Sequence, residues 1–203
     1  FVHYEGAQPT FEKHKTDPYA PDPSYVDIES RMYNSIDYMV TLANRKDDNR
    51  PVLWCEYAHA MGNSLGNFDA FWEAIRREKR LIGAFIWDWT DQGLAKTDEN
   101  GVKYWIYGGD HGEPIHSGNF CINGVINADQ TPKPTTWAAK KVHQPIVITA
   151  ANLAAGELNV KNWHHFKNLN NFDLFWSIEE NGKVVQQGQL PSLDLAATKE
   201  KLV

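Results

Sequence analysis

Residues 51–66, PVLWCEYAHAMGNSLG, constrain this chain more than any other stretch. Val52 to Tyr57 read as a short buried strand that carries an acid, Glu56, at its exit. A turn of small and polar residues follows, from Ala58 and His59 to Gly62, Asn63 and Ser64. Burying an ionisable carboxylate at the end of an apolar run is costly without a partner or a purpose. In parallel α/β barrels the C-terminal strand ends are where chemistry is done. The other reading is a structural Glu held by a neighbouring cation or amide, and the pattern alone leaves both open.

The flanking segments repeat one theme. Phe1 to Tyr4 read as a strand, with Glu5 and Gly6 at its exit, and residues 7–26 as a long Pro-, Lys- and Asp-rich covering loop. Ile36, Met39, Val40 and Ala43 fall at helical spacing behind Asn34 or Ser35 as cap. Phe68, Phe71, Trp72 and Ile75 mark a second helix behind Asn67, with Arg76, Arg77, Lys79 and Arg80 near its C-terminal end. Ile82 to Trp89 then predict a strand, apolar as far as Asp88, as expected where a parallel sheet is covered on both faces. Strand, helix, strand, helix, strand is the order of right-handed βαβ units.

Residues 90–145 read as loops over the mouth of that sheet, with a hairpin at Asn100-Gly101 and a helix from about Thr136 to His143. From Pro145 the period changes to two: Leu174, Trp176 and Ile178 alternate with Asp173, Ser177 and Glu179. Asn181-Gly182 then turns the chain into Lys183 to Leu190, the start of an antiparallel sandwich.

Composition narrows the partners. The formal net charge is −6, so neither nucleic acid nor an anionic membrane is indicated. Its longest apolar run, Leu81 to Trp87, is far short of a membrane span. Aromatics reach 12%, which suits either sugar-ring platforms or a core of large side chains. Cys55 and Cys121 read as buried free thiols, in keeping with a reducing, cytoplasmic compartment. The opening FVHYEG reads as entry into the middle of a strand, so a piece of a longer polypeptide is expected.

Four blocks carry a resemblance: CEYAHAMGNSLGNF, GAFIWDWTDQGL, YGGD and NFCINGV, spanning residues 54–125, with FVHYEG and SRMY as looser matches. In order and spacing they resemble the large bacterial β-galactosidases of glycoside hydrolase family 2. The resemblance implies that residues 1–144 are the last three β/α units of a (β/α)8 TIM barrel, and that residues 145–203 begin a β-sandwich. It implies a retaining hydrolase of terminal β-D-galactosides such as lactose, oligomeric in its full-length form.

By the same resemblance Glu56 is the nucleophile, and Tyr33 is the tyrosine that assists its release. His59 bonds the sugar near the transition state, and Trp87 is the galactose platform; Trp89 reads as packing. Phe120, through its carbonyl, and Asn123, through its amide oxygen, match a sodium site, the latter beside the sugar. The chain also departs from the family. Its acid/base lies in an Asn-Glu dipeptide, and none occurs here. His116-Ser117 replace an Asn-Asp pair that bears on accessory magnesium; the main magnesium ligands and the sodium-binding Asp belong upstream. Glu5 has a low claim to face the site, and Asp88, Asp91 and Asp110 read as structural carboxylates. His3, His14, His111, His164 and His165 show no ligand spacing.

Two rivals remain: another family 2 specificity, β-glucuronidase or β-mannosidase, and a non-catalytic chain that binds sugar or complements a partner. Three barrel units leave parallel edges unpaired, so the isolated chain is expected to be poorly soluble or to assemble with the rest of a barrel.

Overall fold

The computed structural model describes residues 1–203, apart from the side chain of residue 11. It divides into two compact units, Phe1–His143 and Gln144–Val203.

The first unit is built on a three-stranded parallel sheet in the order β1 (Glu29–Met32), β2 (Val52–Tyr57), β3 (Leu81–Ile86). Helices α2 (Ile36–Ala43) and α3 (Phe68–Arg77) connect them. Ser35 caps α2 by accepting the Tyr38 amide at 3.2 Å. Asn67 precedes α3 in a left-handed conformation (φ 61) and makes no side-chain cap bond, so the expected cap is absent. Every residue of β2 is buried, as fits a central strand. Its Trp54 and Tyr57 meet Phe68 and Phe71 of α3, with ring centroids 5.3–5.4 Å apart. Met39, Leu42, Val52, Ile75, Leu81 and Val125 complete this core.

Three expectations fail here. Phe1 to Tyr4 form no strand; the segment is exposed and shares with Asp27 one backbone bond and a contact to its carboxylate. The first strand is instead ESRM, residues 29–32, with Glu29, Ser30 and Arg31 all buried. Its polar composition hides it from hydrophobic patterning, because its burial rests on ion pairs. The covering loop also contains a short helix, α1 (Phe11–Thr16), capped by Thr10. Finally, β3 is not covered on both faces: Ile82 and Phe85 are 53% and 62% exposed, since β3 is an edge strand.

After β3 come the hairpin β4 (Leu94–Thr97)–β5 (Lys103–Ile106), turned at Asn100-Gly101, and a 3-10 turn over Gly118–Cys121. Helix α4 (Pro134–His143) ends the unit, beginning two residues earlier than predicted.

The second unit is wholly antiparallel. β7 (Glu157–Asn162) lies between β6 (Ile146–Asn152) and β10 (Glu200–Leu202), and β8 (Leu174–Glu180) pairs with β9 (Lys183–Leu190) through Asn181-Gly182. Val160, Leu169 and Leu195 form its small core.

Among the described residues, no helix is long and apolar enough to cross a membrane.

Candidate active site

The C-terminal ends of β1, β2 and β3 bring the predicted residues into one neighbourhood. Glu56, 8% exposed, lies near the end of β2, opposite Met32 of β1. The next residue of that neighbouring chain segment, Tyr33, donates its backbone N–H to the Glu56 carbonyl at 2.9 Å. Its half-exposed phenol feels the Glu56 carboxylate. Burial first, and the Glu56 carboxylate second, push the phenol above its ordinary value, so Tyr33 stays protonated through the alkaline range.

Tyr33 (φ 54) and Ala58 (φ 49) flank this pair in the left-handed region, which costs a non-glycine residue of order 1 kcal/mol or more. Such strain gathers where a site needs a fixed backbone, and here it lies on either side of the carboxylate.

His59 follows on the β2–α3 loop. Its ring centroid is 6.0 Å from that of Tyr33 and 5.4 Å from that of Phe120. Its Nε2 is buried and has no hydrogen-bond partner among the described residues. A buried nitrogen without a partner is unusual and suits a site that a ligand's hydroxyl completes.

Trp87 lies just beyond β3, 39% exposed; its N–H donates to the Tyr57 carbonyl (3.1 Å) and its carbonyl accepts from Ala60 (2.8 Å). Asn123 is 2% exposed; with its amide assigned so that both groups are satisfied, its oxygen accepts from Trp87 Nε1 at 3.0 Å and its nitrogen donates to the Cys121 carbonyl at 3.2 Å. Tyr33, Glu56, His59 and Phe120 are thus joined by one run of contacts, and Trp87 and Asn123 form a second, bonded pair.

Neighbouring residues fall on both sides of expectation. Trp89 is 56% exposed, so packing is not its role. Asp88 accepts from the Trp89 N–H and from Gln92 Nε2, and Asp110 from the Tyr107 N–H, as structural carboxylates do. Glu5 is exposed, and burial is the main cause that raises the Cys55 thiol. Cys121 is free but only partly buried. Lys133 was not singled out in the sequence; only its bond to Asp91 reveals it.

For metals, the donor set discriminates. Phe120 and Asn123 offer a carbonyl and an amide oxygen, ligands of the right kind for a hard monovalent cation, and the Asn123 oxygen keeps a lone pair beyond the one Trp87 occupies. No group of three or more His, Cys, Asp or Glu among the described residues is arranged to hold a metal, and His116-Ser117 supply no carboxylate for magnesium. These residues do not fit a magnesium site.

The sequence matches the family described as "Glycosyl hydrolases family 2, TIM barrel domain" over residues 1–148, and "Beta-galactosidase, domain 4" over residues 158–203. This chain belongs to glycosyl hydrolase family 2. The β-galactosidase of Photobacterium profundum is 48% identical over 145 residues, covering 70% of this chain and 14% of that protein. The β-galactosidase of Priestia megaterium is 44% identical over 188 residues, covering 92% of this chain and 17% of that protein. That of Psychromonas ingrahamii is 38% identical over 197 residues, 90% of this chain and 19% of the relative. The chain therefore spans less than a fifth of the length of these relatives. Family membership makes the parallel sheet of the first unit part of a TIM barrel, whose C-terminal strand ends carry the site.

Proposed function

We propose that this chain supplies the nucleophile half of a retaining β-galactosidase. The observation that carries the reading is Glu56, a buried carboxylate near a strand end, bonded through its carbonyl to the Tyr33 N–H and raising the Tyr33 phenol, with His59 on the loop that follows. Glu56 attacks the anomeric carbon of a terminal β-D-galactoside as the bond to the aglycone oxygen breaks. That oxygen takes its proton from a carboxylic acid contributed by the remaining barrel strands, about 5 Å from Glu56 in a retaining enzyme. Water then hydrolyses the galactosyl ester, with the same acid acting as base.

Tyr33 tunes the leaving carboxylate, His59 Nε2 bonds a sugar hydroxyl, and the indole of Trp87 stacks on the apolar face of the ring. Phe120 and Asn123 would contribute two oxygens to a sodium ion, which supplies fixed positive charge for a sugar hydroxyl; further ligands belong to the rest of the barrel. Residues 1–144 act as its last three β/α units, and residues 145–203 open a β-sandwich domain.

The test is hydrolysis of an aryl β-galactoside by the chain alone and mixed with a polypeptide supplying the missing strands. Turnover only in the mixture, with a 2-fluoro-galactosyl inhibitor labelling Glu56, is the expected outcome. Label on another residue overturns the assignment. Preference for an aryl glucuronide or mannoside moves the chain to another family 2 specificity.

A further inference from the structure

Asn123 reaches Trp87 because two loop segments run side by side. Asp88 donates its N–H to the Asn123 carbonyl (2.8 Å), and Val125 donates to the Asp88 carbonyl (3.0 Å). Ile126 donates to Trp89, and Asp91 to Ile126, each at 3.0 Å. The segments touch so closely at Gly124 that a Cβ there would sit 2.1 Å from the Asp91 nitrogen and 2.3 Å from the Thr90 carbonyl carbon.

One ion pair clamps the far end of this ladder. Asp91, 7% exposed, accepts the Gly124 N–H at 2.7 Å and Lys133 Nζ at 2.6 Å. The same Nζ donates to the Gly124 carbonyl at 2.9 Å. Lys133 therefore holds the residue next to Asn123 from both sides, just before α4 begins. Its bonds go to Asp91 and Gly124, so its effect on the sugar site passes through the backbone of Gly124.

We infer that Asp91 and Lys133 are a positioning pair that keeps the Asn123 amide oxygen on the Trp87 indole N–H and so sets the orientation of the sugar platform. The inference rests on the reading of Trp87 as that platform, but the Trp87–Asn123 bond can be measured without any turnover. Loss of the ammonium frees Gly124 to shift, and the Asn123 oxygen then leaves the indole. An arginine preserves a donor to both acceptors.

The experiment is a 15N-tryptophan spectrum of the chain, in solution or by magic-angle spinning for an assembled sample. The Trp87 indole signal is identified by its loss in Trp87→Phe, and Asn123→Ala gives the position of the unbonded indole. Lys133→Met is expected to move the signal toward that position, and Lys133→Arg to restore it. Asp91→Asn, which keeps an acceptor for the Gly124 N–H, is expected to shift it partway. In a mixture that turns over aryl β-galactoside, Lys133→Met raises KM roughly three- to tenfold with kcat changed less. A Trp87 signal unmoved in both Lys133→Met and Asp91→Asn, even with a lowered melting temperature, overturns the inference. A moved signal in a mixture that never turns over supports the positioning pair and counts against the proposed function.

Discussion

The two ends of the same three strands bury carboxylates in opposite ways. At the C-terminal end, Glu56 is accompanied by the neutral Tyr33 phenol, whose ring centroid lies 6.0 Å from that of His59. At the N-terminal end, Asp22, Glu29 and Asp48 are met by three guanidinium groups. Arg31 bonds Asp22 at 2.5 Å, with both side chains almost fully buried. Arg50 takes Asp48 at 2.6 Å and also donates to the carbonyls of Asp22, Pro23 and Val26. Arg80 reaches Glu29 at 3.0 Å, Asp48 at 3.6 Å and the carbonyl of Arg50 at 2.7 Å. The lower end is arranged to hold charge at rest; at the upper end no ion pair to Glu56 occurs among the described residues, which suits the proposed nucleophile.

Glu29 shows how crowded the lower end is. Burial first, and the charge of Asp48 second, push its carboxyl up to about 7. For Asp48, burial works the other way from its hydrogen bonds, and the side chain and backbone of Arg50 prevail to hold it below its ordinary range. Glu29 Oε2 is buried with no hydrogen-bond partner among the described residues, in keeping with the cost of burying that carboxyl as an anion.

The contrast breaks most sharply at Glu56. In a complemented, active mixture Glu56→Gln should lower turnover by about 10⁴-fold or more, while its melting temperature holds or rises. A drop in stability comparable to that of lower-end variants would erase the distinction. Next in size, Arg80→Met removes the cation from buried Glu29, while Asp48 keeps Arg50, and should cost roughly 3–5 kcal/mol in denaturant unfolding. A cost under about 1 kcal/mol would place the lower end among weak surface pairs.

The third prediction concerns pH. Because the folded-state pKa of Glu29 lies above its ordinary value of 4.5, its contribution is fully present below pH 4.5 and is lost as pH rises toward about 7. The loss is up to roughly 3 kcal/mol. Glu29→Gln keeps a donor for Asp48 and an acceptor for Arg80, so the difference in stability between about pH 4.5 and about pH 8 should shrink by that amount. An unchanged difference would mean that Glu29 is ionised throughout. The smallest effect is expected at Tyr33, where Tyr33→Phe should slow release of the galactosyl intermediate by roughly tenfold. Burst kinetics with an aryl galactoside would measure it, and an unaltered release step would assign the phenol a purely structural role.

The same contrast explains what could be read in advance. Strand β2 and helices α2 and α3 announce themselves because their burial is apolar and periodic, and the two Asn-Gly hairpins because their turns need left-handed residues. Strand β1 is silent: Glu29, Ser30 and Arg31 look exposed until their partners arrive. Asp22 comes from 9 residues before Arg31, and Arg80 from 51 residues after Glu29. Phe1 to Tyr4 has strand composition but lacks a strand beside it. The site residues were visible through motif spacing, whereas Lys133 was not, because a lysine in a Pro-flanked turn carries no local sign of its acceptor 42 residues away.

The sequence by itself determined the apolar framework, the acid at its strand end and the family, since these depend on local spacing and on residue identity. Only the tertiary structure decided which charges neutralise each other, and so which end of the strands holds paired charge and which buries a carboxylate beside a phenol. The physical reason is that pairing energies depend on distance and burial across segments far apart in the chain, which no local window contains.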